Sequence, residues 1–212
     1  DLDPDFNAPR DGITDAELIL RAYQVWGQKC LEHLLGDFSF AIWDGPRQRL
    51  FCARDQIGIK PFFYAQIGTQ VIFSNTLDCM RRHPAVSDKL NEQAIADFLV
   101  LEVNQDLTTT SFADIQRLPP GHQVEWSRAG KRISRYWTMP IDEPLFYRRS
   151  EDYLDRFREL LREAVSDRLR GNHLGIFLSG GLDSTTLAVT AHDLLRERYP
   201  RFQLLAHTKN DA

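Results

Sequence analysis

The 212-residue sequence is short of several things, and each shortage excludes a class of protein. Its three cysteines, Cys30, Cys52 and Cys79, are widely spaced and odd in number. That fits neither a disulfide framework nor a C-x-x-C metal site, so a reducing, cytoplasmic setting is the default expectation. There is no apolar run of 18 residues and no basic segment leading into an apolar one, so neither a membrane span nor a secretory signal is written here. Basic residues do not exceed acidic ones: 26 stand against 30, for a formal net charge of −4. This removes the electrostatic footprint of a general nucleic-acid binder. A Walker A sequence is missing, as are internal repeats and low-complexity tracts. The chain opens on Asp1 rather than methionine and stops at "HTKNDA", so both natural ends are expected to lie elsewhere.

What is present supports packed cores, with 42% hydrophobic residues over a length sufficient for one large domain or two ordinary ones. "TDAELILRAYQVWGQKCLEHLLG" reads as a helix. Thr14 with Glu17 makes a capping box, Leu18, Ala22, Val25, Trp26 and Leu34 recur at helical spacing, and Gly36 can end it. "FSFAIWD" and "RLFCAR" flank a "GPRQ" turn, and "PFFYAQIGTQVIFSN" repeats the plan around "IGTQ", which predicts one antiparallel meander over residues 37–75. "NEQAIADFLV" predicts a short helix from Asn91, "RRHP" at 81–84 a helix end, and "HQVEWSRAGKRISRYW" a hairpin turning near Ala129 and Gly130. The three cysteines read as core or near-core residues.

Composition changes at 138–149, "TMPIDEPLFYRR", which has two prolines and no period and reads as a linker. The next segment, "SEDYLDRFRELLREAVSDRLRG", predicts an amphipathic helix. Tyr153, Phe157, Leu160, Leu161, Ala164, Val165 and Leu169 form its apolar stripe, and arginines paired with acids its solvated face. Then come a strand "LGIFLS", a glycine loop, a helix "STTLAVTAHDLLRERY" and a strand "FQLLAHT". This order predicts a β-α-β unit opening a parallel sheet.

The loop carries the chemistry. A strand that passes through glycines into a helix aims backbone N–H groups and the positive end of the helix dipole at one point, where phosphate fits. Gly180 and Gly181 lack a Cβ that would keep a ligand away, Ser179 and Ser184 can add hydroxyl donors, and Asp183 can hold the Mg2+ that accompanies phosphates. The competing reading of a lone S-G-G is a tight turn and nothing more. The full S-G-G-L-D-S between a strand and a helix favours the phosphate reading.

"SGGLDS" resembles the pyrophosphate-binding loop of N-type ATP pyrophosphatases. "TDAELILRAYQVWG", "LLGDFSFAIWD", "ARDQIGIKPFFY", "LPPGH" and "RYW" resemble, in order, the later part of the class II glutamine amidotransferase domain of asparagine synthetases. The resemblance implies α+β and α/β architecture. Residues 1–137 would form a partial Ntn-hydrolase-like antiparallel sheet domain with helices, 138–149 the linker, and 150–212 the start of a parallel-sheet adenine-nucleotide alpha-hydrolase-like synthetase domain. It implies ATP and Mg2+ as cofactors, and ATP, glutamine and aspartate or another carboxylate as substrates, with neither nucleic acid nor membrane as partner. A homodimer is left open. Ser179, Gly180, Gly181, Asp183 and Ser184 carry over onto the phosphate loop, Phe177 and Leu178 onto the strand end bordering the adenine, and Asp15 onto the aspartate that grips glutamine's α-amino group. Asp15 also reads as a first-turn acid favoured by the helix dipole.

Departures from the family pattern weigh as much. The family's nucleophile is an N-terminal cysteine, and this sequence starts with Asp1, so the expectation is that the chain alone does not hydrolyse glutamine. The segments resembling H-R-G-P-D and Y-N-G-E-I-Y-N are absent, as are later acids and a lysine of the synthetase half. His207 and Asp211 could be ligands, but the resemblance places a substrate-facing strand end there, and a surface loop suits them better. Two alternatives stay open: a β-lactam synthetase or lasso-peptide cyclase-like enzyme that uses an internal amine, and a non-catalytic remnant of the fold.

Overall fold

The computed structural model describes residues 13–141 and 144–208, and the chain divides into two units, Asp1–Pro140 and Ile141–Ala212. In the first, α1 (Asp15–Trp26) starts where the sequence predicts, with Thr14 Oγ1 accepting the Glu17 N–H at 3.3 Å. Glu17 turns its carboxylate to Arg21, 2.8 Å away, rather than completing a capping box. The helix stops at Gly27 and not at Gly36. Gly27 reaches a φ of 59°, open to glycine at little cost, its N–H caps the Tyr23 carbonyl, and a 3-10 segment, Gly27–Glu32, takes over. Ala22 and Tyr23 are the buried positions, while Val25 faces out.

The expected meander over 37–75 is two sheets instead. One contains β1 (Ser39–Asp44), β2 (Arg49–Arg54), β6 (His122–Ser127) and β7 (Gly130–Arg135) in that spatial order. The other contains β3 (Phe63–Ile67), β4 (Gln70–Ser74) and β5 (Gln116–Arg117) in the order β4-β3-β5. Every pairing is antiparallel, with Cys52 opposite Ala41 on one side and Val124 on the other.

The chain changes sheets after β2 because two buried charges fix the connecting turn. Arg54 donates to the carbonyls of Lys60 and Leu118, both at 2.8 Å, and of Gly58. Asp55 accepts from the N–H groups of Ile59 and Lys60, both at 2.9 Å. Gly58 completes the turn at a φ of 75°, where a Cβ would lie 2.7 Å from Pro120 Cγ. The two sheets enclose Cys52, Phe62, Tyr64, Leu118, Val124 and Trp126.

Tyr23 stacks on Phe51 with ring centroids 5.3 Å apart in the core beneath α1, which also holds Cys30. Between β4 and β5 run α2 (Leu77–Arg81), whose end takes in the "RRHP" segment, and α3 (Glu92–Leu101), capped by Asn91 as predicted. Cys30 and Cys52 are buried, but Cys79 is exposed, contrary to its reading as a core residue. It sits on the outer side of the one-turn α2, whose inward position is taken by Met80.

In the second unit α4 (Ser150–Ser166) precedes β8 (His173–Phe177), α5 (Leu182–Arg198) and β9 (Gln203–His207), with β8 and β9 parallel and Phe177 opposite His207. Leu169, Ala191, Leu194 and Leu195 form its core, joined by Val165, Leu174, Phe202 and Leu204. The α4 stripe is only partly covered. Leu169 is buried and Val165 packs, but Tyr153, Phe157 and Leu160 remain exposed, and Phe157 lines an open groove between α4 and α5 with Thr185, Thr186 and Val189. The opposite face is ion-paired as predicted, through Arg158 with Asp155 and Arg156 with Glu159, while Arg162 reaches Glu197 of α5. Among the described residues no helix is long and apolar enough to cross a membrane.

Candidate functional site

Leu178 to Ser184 form the turn from β8 into α5. The Leu178 N–H donates to the His207 carbonyl at 2.8 Å, which extends the parallel ladder to the first residue of the loop. Gly180 then adopts a φ of 80°, and a Cβ built there meets nothing within 4 Å. The bend is therefore open and needs glycine for its dihedral angle. Gly181 is the N-cap of α5, in extended conformation. Asp183 and Ser184 stand in the first helical turn, so the helix begins two residues earlier than the sequence pattern suggested.

The N–H groups of Leu182, Asp183 and Ser184 have no acceptor among the described residues, the usual state of a helix's first turn. With the positive end of the helix dipole they offer an anion several donors in one direction. Leu182 and Phe177 are almost fully exposed, and no side chain plugs the space over Gly180.

The two serines do more than wait for a ligand. The Ser179 N–H donates to Ser184 Oγ at 3.2 Å, the two hydroxyls lie 3.2 Å apart, and the Gly181 N–H reaches Ser179 Oγ at 3.4 Å. They clasp the loop into shape. Thr185, which sequence reasoning did not single out, holds the other end: its N–H and its hydroxyl both bond the Gly181 carbonyl, at 3.3 and 2.9 Å. The available signal was its place four residues after Gly181, where a threonine hydroxyl can back-bond.

Asp183 is the carboxylate beside these donors, and it is exposed. Magnesium is commonly held by one or two carboxylates together with a substrate's own phosphates. A single carboxylate suits that arrangement, and no group of three His, Cys, Asp or Glu side chains that could hold a metal alone occurs among the described residues.

Asp15 is an exposed first-turn acid of α1, with no ion pair among the described residues. It belongs to the other unit. His207 ends β9 and is exposed, a strand end rather than a loop; Asp211 lies outside the described residues.

The glutamine amidotransferase domain model matches residues 7–137, more than half of the sequence. The chain belongs to the glutamine amidotransferase domain family. Its amidotransferase part is followed by a match to the asparagine synthase model at residues 156–211, the order in which the sequence resembles glutamine-hydrolysing asparagine synthetases. Asparagine synthetase [glutamine-hydrolyzing] 3 of Bacillus subtilis is 32% identical over 179 residues, covering 84% of this chain and 29% of that protein. Asparagine synthetase [glutamine-hydrolyzing] 2 of the same organism is 32% identical over 186 residues, 82% of this chain and 25% of that protein. Amidase chyE of Penicillium rubens is 29% identical over 191 residues, 88% of this chain and 28% of that protein. The chain thus spans less than a third of the length of each of these relatives. Among solved structures, the glutamine phosphoribosylpyrophosphate amidotransferase of B. subtilis aligns over 90% of this chain and 37% of its own, at 13% identity and a TM-score of 0.34, too low to add to the topology described above.

Proposed function

We propose that this chain serves an ATP-dependent amide-forming ligase of the asparagine synthetase type. Residues 1–137 act as the amidotransferase half, 138–149 as the linker, and 150–212 open the synthetase half. In this reading Asp15 grips the α-amino group of glutamine, and Phe177 to Ser184 receive ATP. A carboxylate, aspartate in the first place, is activated as its acyl-adenylate, and ammonia from glutamine attacks it.

The chemistry explains why a nucleotide is needed. A carboxylate is a poor electrophile because its leaving group would be oxide. When its oxygen attacks the α-phosphorus of ATP, pyrophosphate departs; when ammonia then attacks the acyl carbon, AMP departs. Negative charge builds on the leaving pyrophosphate, and fixed donors aimed at that charge lower the barrier. Leu182, Asp183 and Ser184 supply such donors through their N–H groups, with Ser179, Ser184 and Thr185 keeping the loop in the shape that aims them. Asp183 would hold the magnesium, whose charge offsets that of the phosphates.

The observation that carries this reading is the open loop at Gly180, followed by a first helical turn whose N–H groups have no acceptor among the described residues. The test is ATP–pyrophosphate exchange by the full-length protein with aspartate and with alternative carboxylates, the latter because one relative bears the name amidase. Aspartate-dependent exchange that Asp183→Ala lowers by at least tenfold supports the assignment; exchange indifferent to that substitution removes the metal role from Asp183.

A further inference from the structure

Tyr153 belongs to the apolar stripe of α4, yet it is exposed, and its hydroxyl is used twice. It accepts the Tyr147 N–H at 3.0 Å and donates to the Leu145 carbonyl at 3.3 Å. The rings of Tyr147 and Tyr153 meet edge to face, with centroids 4.8 Å apart and planes at 90°. Leu145 to Tyr147, part of the stretch that composition marks as a linker, are thus bonded to the helix that follows them. Pro144, whose ring fixes its own φ, stands just before them.

The start of α4 shows what such a strap supplies. Its N-cap is Arg149, whose side chain makes no capping hydrogen bond and pairs with Glu151 and Asp152 instead. Helices often fix the angle at which the chain enters by packing a residue ahead of the N-cap against the fourth residue of the helix. Tyr153 is that fourth residue, Tyr147 lies two positions ahead of the N-cap, and the hydroxyl adds hydrogen bonds to the ring contact. Leu145 and Phe146 are 66% and 87% exposed, so burial of their side chains does not hold the strap down. The Tyr153 hydroxyl and the ring edge do.

We propose that Tyr153 is a latch that makes Leu145 to Tyr147 a rigid part of the second unit, so that whatever freedom the linker has lies before Leu145. A coil linker sets only how far two units can separate, and its free length sets their effective concentration for each other. A latched one also fixes the direction in which the chain leaves α4. Opening the latch adds Leu145 to Tyr147 to the free tether and alters neither unit's core. The inference concerns the joint alone and stands whether or not the loop at Gly180 receives a nucleotide.

Hydrogen exchange of backbone amides, followed by heteronuclear NMR on the whole chain, tests the latch. Three proteins are compared: the unaltered chain, Tyr153→Phe, which keeps the ring and loses both hydrogen bonds, and Tyr147→Phe, which removes only a hydroxyl the latch does not use. The amide of Leu195, a fully buried residue of α5, reports whether the unit stays folded. The Tyr147 amide should be protected in the unaltered chain and in Tyr147→Phe. In Tyr153→Phe it should exchange about tenfold faster, the order of one ordinary hydrogen bond, with Leu195 unchanged throughout. A Tyr147 amide that exchanges at the rate of an unstructured peptide in the unaltered chain overturns the proposal, as does equal protection in the unaltered chain and Tyr153→Phe. Acceleration of Tyr147 and Leu195 by the same factor assigns the effect to the stability of the whole unit and overturns it too.

Discussion

Replacing Asp55 by alanine tests why the first unit has two sheets. Asp55 is 1% exposed and each carboxylate oxygen accepts one main-chain N–H, from Ile59 and from Lys60, at 2.9 Å. Its own N–H and carbonyl are also engaged, with Phe38 and Gly121, so the side chain cannot move away to find other partners. A hydrogen bond to a charged group contributes about 1.5–3 kcal/mol. Losing both should therefore cost about 3–6 kcal/mol, against a total stability for a domain of about 5–15 kcal/mol. The loss also removes the nearest opposite charge from Arg54, itself buried. Asp55→Asn keeps one acceptor oxygen and should cost about half as much. All four tryptophans lie within residues 1–140, so urea unfolding followed by tryptophan fluorescence reports on this unit. The predicted order of midpoints is unaltered, then Asp55→Asn, then Asp55→Ala. A cost below about 1 kcal/mol for Asp55→Ala would place it among ordinary surface changes and refute the claim that this carboxylate fixes the crossover.

Two further outcomes follow from buried groups. Burial pushes the Asp44 carboxyl up, but hydrogen bonds from Arg47 and Tyr23 outweigh it and hold it below the usual carboxylate range. Because its folded value is lowered, its contribution is present above the unfolded value of about 3.9 and is lost as pH falls through the folded value. The destabilisation caused by Asp44→Asn, read from urea midpoints, should therefore be larger at pH 6 than at pH 3; equal effects at both would contradict this. Burial also pushes the Cys30 and Cys52 thiols up, to about 11 and about 12, so both stay protonated at pH 8 and unreactive. A thiol reagent at that pH should titrate one cysteine of the native chain, Cys79, and all three after denaturation; rapid reaction of more than one native thiol would refute the burial of the other two.

The parts of this fold legible in the sequence are those decided locally. Thr14, Asn91 and the Gly130 turn were readable because a cap or a hairpin turn depends on a few neighbouring residues. The strand–loop–helix order around Ser179 to Ser184 was readable for the same reason. What escaped depends on distant partners. Pairing of β2 with β6 joins residues about seventy positions apart, and no period in residues 37–75 reports it. The helix ends at Gly27 and not at the expected Gly36, because the segment after it must bring Cys30 and Leu31 into the core, which local spacing does not report. Cys79 was misplaced because a helix of one turn has too few residues to show which side is buried. At the loop, the residue types were visible but their bonding was not. The serine clasp and the double bond from Thr185 to the Gly181 carbonyl are properties of a three-dimensional turn, and the Phe177 and His207 rings meet only because two strands lie in parallel register.

In the proposed function the main-chain N–H groups where β8 hands over to α5 receive the phosphates of a nucleotide. The amide resonances of this segment, followed by heteronuclear NMR as Mg-ATP is titrated, test it most directly. The prediction is saturable movement concentrated at Gly180, Gly181, Leu182, Asp183 and Ser184. Saturable binding that moves other amides and leaves these in place would contradict it.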